Sequence, residues 1–267
     1  MSRTKIIAEA AANHNGDIRI MKDMIRVAKE SGADYIKFQS WLSNNLITDD
    51  SSNRQYYKER EVLDETHFVL RDECRSQGIK FLTTCFDIGR IDFLKQLGLT
   101  EIKVASPDLG SSAMIEKLRD NFDHLIISTG MSYGDEVRQT ASIMKGRNFT
   151  LLHCISLYPT PPEKVNMARM DWLRQFTPSV GFSDHTFGTA AAKIAIARGA
   201  DYVEKHFTLD RSLPGRDQPL SAEPAELKEI CDFARTTETM MGDGRVDLFE
   251  DECPARKKFV GRWGNNK

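Results

Sequence analysis

Missing from this 267-residue chain are the signatures of a membrane, nucleic-acid-binding or disulfide-rich protein. No run of roughly 18 apolar residues occurs, so no ordinary transmembrane helix is encoded. Met1 to Lys5 leads into few apolar residues before Glu9, too few for the hydrophobic core of a secretory signal. A formal net charge of -2 without a long basic block argues against nucleic acid and anionic membranes as partners. The five cysteines (Cys74, Cys85, Cys154, Cys231, Cys253) are odd in number, scattered and free of any Cys-x-x-Cys pair. A zinc ribbon and a disulfide framework are thereby excluded, and the thiols read as reduced. The expectation is a cytoplasmic protein that acts on small molecules.

What is present is a regular alternation. Short β-type runs over Lys5–Ala10, Asp34–Gln39, Lys80–Phe86, Glu101–Ala105, His124–Ser128, Phe149–His153, Ser179–Ser183 and Tyr202–His206 predict eight strands. Amphipathic stretches predict helices over Ile18–Ser31, Thr66–Gln77, Ile88–Leu97, Met114–Arg119, Asp135–Met144, Met167–Phe176 and Thr189–Arg198, with a last helix over Pro224–Met241. Short connections between such units demand parallel strands. Eight units, in a chain near the roughly 250 residues typical of the fold, favour an α/β architecture closed as a single-domain (β/α)8 TIM barrel over an open doubly wound sheet. The barrel is expected over 1–242 and an irregular, charged tail over 243–267. Gly32-Ala33-Asp34-Tyr35 and Gly199-Ala200-Asp201-Tyr202 repeat the same helix-ending glycine and strand entry in the second and eighth units. Trp41 to Asp64 breaks the short-loop rule after the second strand, at the rim where long loops act as lids.

In such a barrel the C-terminal strand ends converge on one mouth, and the polar strand residues of this chain gather there. His185 and His206 each close an apolar run, one strand-helix-strand step apart, so their imidazoles fall on neighbouring strands and can share a divalent metal. The alternative is two rim histidines bonded to backbone. Lys37 and Lys103 face an interior that tolerates a cation only beside an anion, which points to a phosphate or carboxylate ligand; a pairing of Lys37 with Glu9 is the rival. Ser106, Ser128 and Ser156 lie in turns between strand and helix, where hydroxyls and N–H groups can cradle phosphate oxygens, whereas Ser112 reads as an ordinary helix cap. Ser183 sits at the same rim. Glu9 can serve as general acid or base. Gln39, Thr84, Phe86 and Tyr158 complete the mouth, and Asp217 lies in a Pro-Gly-x-Asp turn able to bond a sugar hydroxyl. His153 is expected to pack at the rim, His14 is ambiguous, and His67 and His124 are expected on the surface.

Six ordered motifs stand out: Glu9 with Asn13-His14-Asn15-Gly16, Ile36-Lys37-Phe38-Gln39, Ser128-Thr129-Gly130-Met131, Leu151-Leu152-His153-Cys154 with Tyr158-Pro159-Thr160-Pro161, Phe182-Ser183-Asp184-His185-Thr186, and Glu204-Lys205-His206-Phe207-Thr208 with Leu213-Pro214-Gly215. In this order they resemble the sialic acid synthase family, which condenses phosphoenolpyruvate with an N-acetylmannosamine-type sugar. The resemblance implies that His185 and His206 hold manganese or magnesium. It further implies that Lys37, Lys103, Ser106, Ser128, Ser156 and Ser183 surround phosphoenolpyruvate, that Glu9 carries the acid-base role, and that Gln39, Thr84, Phe86, Tyr158 and Asp217 face the sugar. Members usually continue into a small antifreeze-like domain, and the expectation is that this chain stops where that linker begins. A homodimer through barrel helices fits the resemblance. Two departures concern the sugar: Ser156 stands where several members carry Asn, and Arg216 replaces a common proline. An acidic or phosphorylated aldehyde contacting Arg216 is one expectation that follows. Two other classes stay open, a Schiff-base aldolase with Lys103 as nucleophile and an inactive barrel that only binds ligand.

Overall fold

Eight strands alternate with helices in a computed structural model that describes residues 3–46, 51–261 and 263. The order is β1 (Lys5–Glu9), α1 (Ile18–Ser31), β2 (Tyr35–Ser40), α2 (Ser51–Glu59), α3 (Asp64–Gln77), β3 (Lys80–Cys85), α4 (Ile91–Gln96), β4 (Glu101–Val104), α5 (Ser112–Asn121), β5 (His124–Ser128), α6 (Gly134–Ile143), β6 (Asn148–Cys154), α7 (Arg169–Leu173), β7 (Val180–Asp184), α8 (Ala190–Ala197), β8 (Tyr202–His206), α9 (Pro224–Met241) and α10 (Cys253–Phe259). Every strand pair is parallel, and β8 returns to β1 with Glu9 opposite His206, so the sheet is a closed barrel. The (β/α)8 class read from the alternation is the observed one.

Local chemistry sets the boundaries. Asp17 accepts the Arg19 N–H at 2.8 Å to start α1, and Gly32 ends it in the left-handed conformation at φ 94°. The apolar stripe of α1 places Met21, Met24, Ile25 and Ala28 against the sheet, while Pro224 opens α9 at its first turn, where a missing N–H costs nothing. Most of the buried apolar side chains fill the layer between strands and helices. A second, smaller cluster (Ile7, Tyr35, Leu82, Ile126, Leu152, Tyr202) fills the barrel's own interior. It separates a polar N-terminal end from a polar C-terminal end.

Several expectations need correction. The helix expected over Ile88–Leu97 begins as a 3-10 turn, Ile88–Arg90, because Asp87 accepts the Gly89 N–H at 2.7 Å and tightens the entry. Ser112 is the first residue of α5 and Ser111 holds the cap position. The long connection after β2 contains α2, and residues 253–259 of the expected irregular tail form α10. His67 and His124 are buried, not surface residues. His67 bonds the Leu63 carbonyl at 2.9 Å and packs edge-on against Phe93, since its face of α3 turns toward α4. His124 opens β5 at an inward-facing position, bonded to Glu101 at 3.0 Å and Thr150 at 2.9 Å. His153 is packed as expected, with its ring on Phe182 and Nε2 at 2.6 Å from the Val165 carbonyl. His14 is also enclosed; burial pulls its pKa down to about 4 and Nδ1 accepts the Gly16 N–H at 3.0 Å.

Candidate active site

Side chains alternate along a strand, so Glu9, Lys37 and Gln39, Thr84, Lys103, Ser128, Cys154, Ser183, and Glu204 with His206 all point into the barrel at its C-terminal end. Together with Phe86, Ser106, Ser156, Tyr158, His185 and Asp217 they line one cavity of about 390 Å³. Every candidate site residue named from the sequence is on this wall.

The cavity floor is a four-charge cluster. Lys37 Nζ lies 3.1 Å from Glu9 Oε2 and 2.7 Å from Glu204 Oε2, and Lys103 Nζ lies 3.9 Å from Glu204 Oε1. The pairing of Lys37 with Glu9 is thus the observed one, and Lys37 also lines the cavity. Lys103 also donates to Ser128 Oγ at 2.6 Å, Ser183 donates to Glu204 Oε1 at 2.9 Å, and Gln39 donates to Glu9 Oε1 at 2.7 Å. All four charged groups are buried, so water does not screen them.

Burial drives the individual protonation states apart. Loss of water, with Glu204 adding to it, raises Glu9 to about 7 against the pull of Lys37. Burial would raise Glu204 too, but Lys103 and Lys37 outweigh it and hold that carboxyl down at about 2. Burial lowers Lys103 to about 8, whereas at Lys37 the two carboxylates more than offset burial and raise the pKa. Near neutral pH, Glu9 is therefore about half protonated and the cluster tends toward net positive charge, which favours an anion above it. Glu204 escaped the sequence reading. The available signal was its position two residues before His206 on one strand, which puts both on the inner face.

Beside this floor is a gap that glycine keeps open. A Cβ on Gly130 would fall 2.3 Å from Ser156 Oγ and 2.8 Å from Ser106 Oγ, so only glycine leaves both hydroxyls facing the cavity. The Gly130 N–H donates to Ser106 Oγ at 3.0 Å. Ser106, Ser128, Ser156 and the two ammonium groups thus surround a space suited to phosphate or carboxylate oxygens.

The imidazoles form the opposite wall. Their ring centroids are 5.3 Å apart. His185 Nδ1 meets the Ile155 carbonyl at 2.7 Å, so that nitrogen carries a proton; burial would lower the ring's pKa, but Cys154 and that carbonyl outweigh it and raise it, and in the neutral ring Nε2 is the acceptor. His206 Nδ1 is buried without a hydrogen bond, 3.8 Å from Asp217 Oδ2, and burial holds the ring well below its ordinary pKa, in the neutral form that a metal takes. Two rings meeting one cation at roughly 2.1 Å fit this separation. No group of three or more His, Cys, Asp or Glu converges among the described residues, so a cation held here would complete its shell with substrate or water. Tyr158 stacks on His185 at 4.1 Å.

The mouth is aromatic and cationic. Tyr56 and Tyr57 on α2 line the cavity with Trp41 and Phe86, as a lid would. The guanidinium carbons of Arg60 and Arg216 lie 4.0 and 4.2 Å from the Tyr56 ring centre. Arg216 also donates to Asn53 Oδ1 at 2.5 Å, and its charge acts on the neighbouring Asp217.

Residues 24–246 match the model of the NeuB family. The chain is 37% identical over 273 residues to the N,N'-diacetyllegionaminic acid synthase of Legionella pneumophila, covering 94% of this chain and 77% of that protein. It is 33% identical over 271 residues to the N-acetylneuraminate-9-phosphate synthase of Homo sapiens, covering 95% and 76%. Its structure is similar to that of a sialic acid synthetase from Leptospira borgpetersenii in complex with citrate, with a TM-score of 0.91, 30% identity, and 96% and 91% of the two chains covered.

Proposed function

The chain belongs to the NeuB family, and from that premise we propose that it condenses phosphoenolpyruvate with an N-acetylmannosamine-like sugar aldehyde. The products are a sialic-acid-like 2-keto-3-deoxy acid and inorganic phosphate. One observation carries this reading: two enclosed ammonium groups beside a serine-lined gap face a pair of imidazoles across a single cavity. An anion and an electrophile can be held side by side there.

In this reading Lys37 and Lys103 neutralise the carboxylate and phosphate of phosphoenolpyruvate, while Ser106, Ser128, Ser156 and Ser183 direct hydrogen bonds at its oxygens. His185 and His206 would hold manganese or magnesium, which when bound supplies Lewis acidity toward a carbonyl oxygen. Gln39, Thr84, Phe86, Tyr158 and Asp217 position the sugar. Carbon 3 of phosphoenolpyruvate attacks the aldehyde carbon and forms the new C–C bond, and the aldehyde oxygen ends as a hydroxyl. Water adds at C2, the C2–O bond to phosphate breaks, and C2 becomes the ketone. Glu9, raised to about 7, can give a proton below that pH and accept one from the water above it. Holding both reactants in one enclosed space supplies a further part of the acceleration.

Phosphate release from phosphoenolpyruvate, with manganese and a panel of hexosamine, pentose and phosphorylated aldehydes, tests the proposal. Turnover with one aldehyde, abolished by chelator, is expected; silence across the panel contradicts it. Burial of Lys103 to about 8 favours one rival, a Schiff-base aldolase, because a neutral amine is nucleophilic. Borohydride trapping with pyruvate is expected to leave no covalent adduct, and an adduct on Lys103 would decide for the rival.

Arg216 refines the substrate. A cation stacked on Tyr56 at the mouth and bonded to the Asn53 amide suits an aldehyde whose far end bears phosphate or carboxylate. Arg216→Ala is expected to lower kcat/KM for a phosphorylated aldehyde by roughly ten- to hundredfold, in line with losing a hydrogen bond to a charged group. It should leave the neutral counterpart nearly unchanged. An equal effect on both removes this assignment.

A further inference from the structure

Two neighbouring strands carry the imidazoles, and one enclosed ion pair ties those strands together. Asp184 on β7 and Lys205 on β8 are register partners, each one residue before His185 and His206. Alternation turns them out of the barrel where the histidines turn in, and neither lines the cavity. Both side chains are fully enclosed, with Nζ 3.1 Å from Asp184 Oδ2. The pair also grips the backbone around His185: Asp184 Oδ1 accepts the Thr186 N–H at 2.8 Å, and Lys205 Nζ donates to the Thr186 carbonyl. The side chain of Lys205 therefore holds the chain on both sides of His185 while its own backbone leads into His206.

Stability does not account for this arrangement. Withdrawing two charges from water costs about as much as their attraction returns, and apolar residues of similar size commonly serve as well. What an apolar pair cannot do is fix two backbones by directional contacts to a specific N–H and a specific carbonyl.

We propose that Asp184 and Lys205 are positioning residues that set the separation of the His185 and His206 rings, and with it the affinity of the cation site, without touching cation or substrate. The inference rests on the metal reading above. It is tested with the whole chain by titrating manganese and following the free-ion electron paramagnetic resonance signal, in wild type, Lys205→Met, Asp184→Asn and the double variant. Thermal midpoints are measured without metal in parallel. Each single variant leaves one enclosed charge unmatched and is expected to melt earlier, whereas the double variant carries neither charge and regains most of the midpoint. Its manganese Kd is nevertheless expected to stay roughly ten- to hundredfold above wild type, the usual consequence of disturbing the groups behind a metal ligand. Phosphoenolpyruvate binding in chelator depends on the lysine floor and should persist in every folded variant. Wild-type manganese affinity in the double variant would overturn the proposal, as would manganese and phosphoenolpyruvate affinities that fall together with the midpoint. A wild-type chain that binds no manganese would remove the metal reading along with this one, whereas binding by wild type and all variants alike would remove this one alone.

Discussion

The two ends of the barrel interior are both polar, yet they use their hydrogen-bonding groups differently. At the N-terminal end Glu101 accepts from Tyr35 at 2.7 Å and Tyr202 at 3.3 Å and meets His124 at 3.0 Å; His124 goes on to Thr150 and Thr150 to Ser179. Every one of those polar side-chain atoms has a partner. At the C-terminal end Thr84 Oγ1 and His206 Nδ1 are buried without a hydrogen bond, and Glu9 Oε2 and Glu204 Oε2 have only the ion pairs to Lys37. A closed network is a plug that fixes the strands, whereas an open one facing a cavity is completed by a ligand. Buried charge therefore does not mark a site here; incomplete pairing beside empty space does.

Substitutions at the two ends should accordingly separate activity from stability. The largest effect is expected at Glu204→Gln, which leaves Lys37 and Lys103 with Glu9 as their remaining carboxylate. Loss of one member of a buried ion network costs about 3–5 kcal/mol, so turnover and the urea midpoint should both fall in the same variant. Glu101→Gln comes next and acts on folding alone: about 2–3 kcal/mol of unfolding free energy at neutral pH, with kcat/KM of the remaining folded enzyme unchanged. Burial would raise Glu101, but His124 and Tyr35 outweigh it and hold its pKa at about 2. Its folded pKa lies below the unfolded one, so its contribution is present above about pH 4.5 and disappears as pH falls toward about 2. Acid titration of stability should show this slope in wild type and lose part of it in Glu101→Gln. Smallest is Tyr35→Phe, which removes one hydrogen bond to Glu101 and should cost roughly 1–2 kcal/mol in stability with no change in turnover. A bottom-end variant that lost activity at full stability would break the distinction.

Much of this was legible beforehand because the relevant signals are local or periodic. β5, α1 and α9 begin and end where the chain pattern placed them, since caps and apolar stripes mark them. The candidate residues meet on one wall because strand ends converge in a closed barrel, which needs no knowledge of side-chain contacts. Less legible were features that depend on partners far away in the chain. Glu204 beside Lys205 reads as an ordinary charged pair, yet one side chain faces the cavity and the other Asp184 behind it. His124 looks like a strand-entry surface residue until the ring of Tyr35, Glu101 and Tyr202 encloses it. α2 carries no strong apolar stripe, and its Tyr56 is held by Arg60 and by Arg216 from the far end of the chain.

Lys37 and Lys103, at the C-terminal end of the barrel interior, await an anion, whereas Lys80 at the opposite end is already matched, its Nζ 3.5 Å from Glu101 Oε2 and donating to Tyr35 Oη at 3.2 Å. Calorimetric titration of phosphoenolpyruvate into wild type, Lys103→Met and Lys80→Met tests it directly. Binding to wild type is expected, weakened by roughly tenfold or more in Lys103→Met through loss of a charge-assisted contact and unchanged in Lys80→Met. Equal affinity in the two variants, or none in wild type, would contradict it.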